Sequence, residues 1–254
     1  MLSIVIPAYN EEKNIGTTVK AIAQELSGRD WAFEILVVND GSADSTIAVL
    51  EQLEPRIPEL RHVENPGPHG YGYAVRFGLT EFIGDAVVVA MADGSDAPSD
   101  MVVYYEKVME GYDCAFGSRF IPGAIVDGYP LFKRVINRMG NAVIALLMGQ
   151  RYGDFTNGFK CYRREVVERM QPLVSGQFNL TIEMSIKAVA QQARYTVVPT
   201  SWCDRDAGKS KFQVLRQVKL YLWTLLYCMV EVRVVPRIAV PARKSATQRN
   251  ADLL

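Results

Sequence analysis

Three apolar runs in the first hundred residues each end in carboxylates. Leu2-Ser3-Ile4-Val5-Ile6-Pro7 leads into Ala8-Tyr9-Asn10-Glu11-Glu12, and Glu34-Ile35-Leu36-Val37-Val38 into Asn39-Asp40-Gly41-Ser42. Ala86-Val87-Val88-Val89-Ala90-Met91 leads into Ala92-Asp93-Gly94-Ser95-Asp96. Short, β-branched and nearly unbroken, these runs predict strands buried on both faces. Between them apolar residues recur at helical spacing: Ile15, Val19, Ile22 and Leu26 predict a helix over 14–26. Similar patterns predict helices over 45–53, 73–82 and 99–109, with a short strand at 60–64. Such alternation predicts a mostly parallel, doubly wound α/β sheet. Sheets of this kind bind ligands outside the carboxyl ends of their strands. Three strand tips carrying carboxylates there make a site for a cation, or for a polar ligand rich in hydroxyls.

The second half is less regular. A strand at 113–117 ends in Ser118-Arg119-Phe120, and a helix over 131–148 places Lys133, Arg134 and Arg138 ahead of the apolar run Ala142–Met148. A short segment, Asp154–Tyr162, precedes helices at 164–171 and 181–192 and a strand at 195–199. In the last helical stretch, about 212–232, the longest uncharged run is Leu220–Val230. Spanning hydrocarbon takes roughly 20 apolar residues. This helix is therefore expected either to pack on the core or to lie in an interface, with Tyr221, Trp223 and Tyr227 at headgroup depth. The glycines of His69-Gly70-Tyr71-Gly72-Tyr73 are a weak phosphate-loop signal, since no GxGxxG or GK[ST] pattern completes them.

A chain of 254 residues accommodates one sizeable α/β domain, or a domain plus an appendage. Cys114, Cys161, Cys203 and Cys228 lack CxxC or histidine spacing, so they read as buried thiols in a reducing compartment rather than as a zinc site. The sequence opens directly on a core strand, and no signal peptide or leading anchor is expected. Net charge is zero but unevenly spread. From Ser201 onward ten Lys/Arg face four acids, leaving +6 there and −6 in the first two hundred residues. Such a tail is either simply solvated or meets an anionic surface, phosphates or a membrane leaflet.

Taken together these stretches resemble the glycosyltransferase family 2 enzymes of GT-A fold, and most nearly the dolichyl- and polyprenyl-phosphate sugar synthases. The resemblance is carried by Ile6–Glu12, Val37–Ser42, the Asp93 region, Gly117-Ser118-Arg119-Phe120, Asp154–Arg163 and Arg205–Lys211, in that order. It implies a GT-A-type, Rossmann-like domain over 1–212, mostly parallel in its sheet and flanked by helices. Amphipathic helices are expected near the acceptor side. Over 213–254 an amphipathic helix and basic tail follow, with an interfacial role in view.

The resemblance also implies residue roles. Pro7, Tyr9, Glu11, Val38 and Asp40, with Ala92 and Asp93, would form the nucleotide pocket, although Glu11 equally suits the first turn of a helix. Asp93 matches the second aspartate of the family's Asp-x-Asp motif, which holds a divalent cation, Mg²⁺ or Mn²⁺, on the donor diphosphate. Met91 stands where the first aspartate belongs. Asp96 is then either the compensating metal ligand or the N-cap of the helix starting near Pro98. Arg119, Arg205 and Lys211 would bring positive charge to the diphosphate or to an acceptor phosphate, and the small residues between Arg205 and Lys211 suggest a loop that closes over donor. Asp154 and Glu183 are the general-base candidates for a hydroxyl acceptor. Their structural alternatives are orienting the Thr156/Asn157 loop and pairing with a basic neighbour. Lys133, Arg134, Asn137 and Arg138 align with the synthases' interface helix and would bind the acceptor, with Asn137 in the place of a usual serine.

The reading is an inverting glycosyltransferase that moves a sugar from a GDP- or UDP-sugar to a polyprenyl phosphate. Asp93, Arg119, Arg205, Lys211 and Asp154 would be its catalytic group. It would work peripherally at the cytoplasmic face of a membrane, through the membrane surface or a membrane subunit, with no nucleic acid involved. Two alternatives stand beside it: transfer to a saccharide hydroxyl in cell-surface polysaccharide assembly, and a non-catalytic sugar-nucleotide binding protein.

Overall fold

Strands with no polar face need cover on both sides, and the chain supplies it by returning through a helix after almost every strand. The computed structural model describes residues 1–203 and 214–234. Its strands are β1 (Leu2–Ala8), β2 (Phe33–Asn39), β3 (Leu60–Glu64), β4 (Ala86–Val89), β5 (Cys114–Ser118), β6 (Ile125–Asp127), β7 (Lys160–Arg163), β8 (Tyr195–Pro199) and β9 (Ser201–Cys203). Its helices are α1 (Ile15–Leu26), α2 (Thr46–Leu53), α3 (Tyr71–Glu81), α4 (Pro98–Met109), α5 (Leu131–Met148), α6 (Arg164–Arg169), α7 (Leu180–Ala190) and α8 (Val214–Val234). Seven strands form one sheet in the order β3-β2-β1-β4-β7-β5-β8. All pairings within it are parallel except those of β7, which runs against β4 and β5. The mostly parallel α/β sheet expected from the pattern is therefore present.

Two apolar layers enclose it. α1, α2 and α4 pack on one face with Leu2, Ile4, Ile6, Ile35 and Val37. The other face, with Val5, Leu36 and Val38, is covered by α3, α6 and α7. Strand order reverses between β2 and β4 on either side of β1, so the tips of these strands border the crevice where ligands settle in such sheets.

Three departures from the pattern matter for the site. β7 is antiparallel and carries Lys160, fully buried, in mid-sheet; a lysine interrupts the apolar run that would mark such a strand. β6 and β9 pair with each other outside the main sheet, and three residues each is too short to show a period. β9 also reaches the β4 tip, since Ala97 N–H donates to Ser201 O and Cys203 N–H to Ser95 O.

The glycine stretch at 69–73 has a packing role rather than a phosphate-binding one. Gly70 N–H donates to the Asp40 carboxylate, and Gly72 lies against the backbone of 175–177 with its N–H on Gly176 O. The cysteine expectation holds for Cys114, Cys161 and Cys228 and fails for Cys203, which is exposed at the end of β9.

α8 packs on the core along one face and leaves an apolar face exposed. Thr224, Leu225 and Cys228 are buried, α8 packs against α7, and Lys187 sits between Glu183 (3.2 Å) and Glu231 (3.1 Å). Leu222, Trp223, Leu226 and Val230 face out. Tyr221 and Tyr227 pack on the core, so Trp223 is the member of the expected aromatic set that projects from the surface. Among the described residues no helix is long and apolar enough to cross a membrane.

A Cβ at Gly72 would stand 2.6 Å from Gly176 C and Ser175 O and 2.7 Å from Gln177 N. Backbone atoms cannot step aside as a flexible side chain can. Gly72→Ala should lower unfolding free energy by roughly 1–3 kcal/mol in urea titrations, with α3 pushed off the 174–179 loop.

Candidate active site

The tips of β1 and β2 are laced together before any ligand is considered. Asn10, whose positive φ of 55° suits an asparagine, accepts Ala43 N–H at 2.8 Å and donates its own N–H to Ser42 Oγ at 3.0 Å. Tyr9 beside it is 50% exposed, available as an aromatic wall. Glu11 stands ahead of α1, outside its first turn, and its carboxylate accepts Asn14 Nδ2 at 2.9 Å. Pro7 and Val38 lie side by side in the β1–β2 register, with Val38 buried.

Asp40 is buried and held by the loop that enters α3. Asn65 Nδ2 (2.6 Å), His69 Nδ1 (3.1 Å) and Gly70 N–H (2.7 Å) converge on its two oxygens. Sequence reasoning missed Asn65 and His69 because they stand 25 and 29 residues away. The exposed group at this tip is the His69 imidazole, 58% accessible, with Asp40 behind it at 8%.

At the third tip Asp93 Oδ1 accepts Ser95 N–H at 3.1 Å, and Ala92 is buried behind it. Asp96 is not the helix cap. That position is Ala97, and the Asp96 carboxylate turns inward to accept Met91 N–H at 3.0 Å. Burial pushes the Asp96 carboxyl up to about 7; the Met91 hydrogen bond opposes the rise, and the Asp93 charge adds to it. The two carboxylates are thus close enough to feel each other.

Across the crevice Arg119 leaves the β5 tip and closes on Asp154. Arg119 Nη2 reaches Asp154 Oδ1 at 2.7 Å, Nε reaches Oδ2 at 3.0 Å, and the Arg119 N–H reaches Oδ2 at 2.9 Å. Burial works against the guanidinium charge. The Asp154 carboxylate outweighs it and holds Arg119 above its ordinary pKa. Its side chain is fully buried and paired with Arg119, so Asp154 orients that guanidinium. Glu183 is likewise buried on Val174 and Ser175 N–H groups and Lys187, its structural alternative.

The Phe120 ring gathers two cations, with Arg119 Cζ 5.5 Å and Arg138 Cζ 5.6 Å from its centroid. Arg138 belongs to α5, as do Lys133 and Arg134, which stand further toward its start. α5 turns Asn137, Asn141 and Ile144 inward, while Leu131, Phe132, Val135, Met139, Val143 and Leu146 are exposed. Arg205 and Lys211 lie outside the described residues. The strand leading toward them, β9, is bonded to the turn that carries Asp96.

The comparisons with known proteins agree with this geometry. Residues 3–171 match Glycosyl transferase family 2. The chain belongs to glycosyltransferase family 2. It is 32% identical over 214 residues to the polyprenol monophosphomannose synthase of Mycolicibacterium smegmatis, covering 82% of this chain and 79% of that one. It is 31% identical over 231 residues to the dolichol-phosphate mannosyltransferase of Pyrococcus furiosus, covering 87% of this chain but 64% of that longer enzyme. The crystal structure of glucosyl-3-phosphoglycerate synthase from Mycobacterium tuberculosis with Mn²⁺, UDP and phosphoglyceric acid superimposes with a TM-score of 0.67. Identity there is 18%, over 93% of this chain and 79% of that one, which shows the shared GT-A fold.

The third tip offers carboxylate oxygens from Asp93 and Asp96, hard ligands suited to Mg²⁺ or Mn²⁺. Among the described residues no group of three or more His, Cys, Asp or Glu could hold an ion unaided. Two carboxylates fit a cation whose remaining ligands are water and a diphosphate.

Beneath Arg119 the buried Lys160 ammonium donates to Phe155 O (3.0 Å) and Ser185 Oγ (2.6 Å), fixing the 154–157 loop from below. Burial lowers its pKa from 10.5 to about 7, with Asp154 offsetting part of the drop. Between these values the unfolded chain binds the extra proton, so this contribution to stability grows with pH and is lost as pH falls through about 7. The wild type should therefore gain stability relative to Lys160→Met as pH is raised from about 7 to about 9. A pH-independent gap in urea unfolding would count against a neutral lysine in the fold.

Proposed function

We propose that this protein transfers a hexosyl group, with inversion, from a nucleotide sugar to a polyprenyl phosphate at the cytoplasmic face of a membrane. The observation that carries the reading is the juxtaposition of Arg119 and Arg138 about Phe120 with the apolar stripe of α5. Guanidinium groups beside exposed apolar side chains are what a phosphate on a hydrocarbon chain requires. The named activities of the two family 2 relatives point the same way.

In this mechanism Tyr9, Pro7 and Val38 border the nucleotide, and Asp40 acts by holding His69 and the α3 entry in place. Asp93 and Asp96 would hold the divalent cation, which when bound neutralises charge gathering on the departing diphosphate. An acceptor phosphate oxygen attacks the anomeric carbon as the bond to the nucleoside diphosphate breaks. That oxygen needs no proton removed, because the second pKa of a phosphate monoester is about 6. Such an acceptor makes no demand on Asp154 or Glu183 for a base, and both are engaged in buried ion pairs. Arg119 supplies fixed positive charge, and Arg205 and Lys211 are proposed to add to it from the segment after β9. Lys133, Arg134, Asn137 and Arg138 are assigned to the acceptor, with the exposed faces of α5 and α8 meeting the bilayer or a membrane subunit.

Purified protein with Mg²⁺ or Mn²⁺, polyprenyl phosphate in vesicles and radiolabelled GDP- and UDP-sugars should move label into the organic phase. GDP-mannose is the first donor to try, as mannose is the sugar both relatives handle. Asp93→Asn should reduce transfer by about a hundredfold or more, with the melting curve unchanged. Label appearing only in water-soluble saccharide would move the acceptor to a hydroxyl. Donor binding without turnover on any acceptor would leave a binding protein.

A further inference from the structure

Helix α5 is poorly anchored for its length. Of its 18 residues, Asn141 and Ile144 are buried. Ile144 is its one fully buried aliphatic side chain, and Ala145 and Met148 pack partly against the core near its end, so the seat of the preceding turns rests largely on polar contacts. Those contacts converge on one hydroxyl. Thr156 Oγ1 donates to Asn137 Oδ1 at 2.9 Å, accepts Asn141 Nδ2 at 3.0 Å and accepts Arg119 Nη2 at 3.2 Å. A hydroxyl has one hydrogen and two lone pairs, and all three are used here. The Thr156 N–H adds a fourth bond, to Asn141 Oδ1 at 3.1 Å. Asn137 completes the circuit by donating to Tyr129 OH at 3.0 Å, and the Tyr129 ring lies 5.6 Å from Arg119 Cζ.

We infer that Thr156 is a positioning residue that couples α5 to Arg119, so that the seating of this surface helix sets the aim of the phosphate-binding guanidinium. The inference rests on the proposed acceptor role of Arg119 and α5. Asp154 fixes two edges of the Arg119 side chain regardless of α5, and so supplies the charge balance. Thr156 supplies the link. When α5 settles on the acceptor's surface through its apolar stripe, the displacement passes through Asn137 and Asn141 to the hydroxyl, and from there to Nη2. Serine keeps the hydroxyl and valine keeps the shape, which makes the link separable from packing.

The test is steady-state kinetics of Thr156→Val and Thr156→Ser with polyprenyl phosphate in vesicles, alongside melting curves, vesicle co-sedimentation and donor affinity. The valine variant should lose about ten- to a hundredfold in kcat/KM for the lipid acceptor, with vesicle binding and donor affinity unchanged, and serine should restore most of it. Asn141→Leu should show the same loss, and its combination with Thr156→Val should cost little more than either alone. Hydrogen exchange of the valine variant should rise in α5 and in residues 118–120 together. Wild-type kinetics in the valine variant, failure of serine to rescue, or faster exchange in α5 with 118–120 unchanged would each overturn the coupling. Should valine unfold the protein, the serine and Asn141→Leu variants carry the same comparison. Wild-type protein that transfers to no polyprenyl phosphate would instead sink the proposed acceptor, and the exchange experiment would still decide the coupling.

Discussion

The buried pair of Arg119 and Asp154 is the constraint around which the β5, β7 and α5 side of the molecule is arranged. A guanidinium taken out of water demands a carboxylate in good register, and breaking such a pair leaves an uncompensated charge that costs several kcal/mol. Satisfying Asp154 requires three donors from the β5 tip. Tyr152 OH lies within hydrogen-bond reach of both Asp154 O and Gly117 O, its single hydrogen serving one at a time, and Asn157 Nδ2 donates to Gly117 O. The stretch from 152 to 157 therefore has little freedom. Its rigidity fixes Thr156, the foot of α5 and the start of β7 in one stroke. Asp154, a lone carboxylate in the sequence, is in space the counter-ion of Arg119.

The donor half follows a different logic. Its tips are organised by hydrogen bonds from loops, with Asp40 serving the α3 entry and Asp96 serving the β4 turn. Met91 is instructive here. Its side chain cannot replace an aspartate, but its amide fixes the carboxylate five residues later. That arrangement also accounts for Asp96 being withdrawn from the helix cap, which Ala97 occupies with Pro98 at the first helical residue.

Periodicity made the parallel half of the sheet readable, because buried strands and their crossover helices leave long, clean apolar patterns. The carboxylate-bearing tips were readable for the same reason. What stayed hidden was tertiary in origin. β7 is interrupted by Lys160, whose partners Phe155 and Ser185 are unremarkable in sequence, and β6 and β9 are shorter than any period. Asp154 and Asp40 carried the right chemistry for the roles first given them. Their hydrogen-bond partners, 25 to 35 residues distant, could not be read from the local pattern. The Gly70/Gly72 pair looked like a phosphate loop because close backbone approach needs glycine whether the visitor is a phosphate or another loop.

Cys203 gives one of these departures a practical consequence. Cys114, Cys161 and Cys228 are buried, whereas Cys203 is exposed and its N–H rests on Ser95 O, in the turn between Asp93 and Asp96. Alkylating reagents discriminate sharply between such thiols. A native reporter position thus lies at the rim of the donor crevice, where a nitroxide or fluorophore could be attached without first removing the other three cysteines.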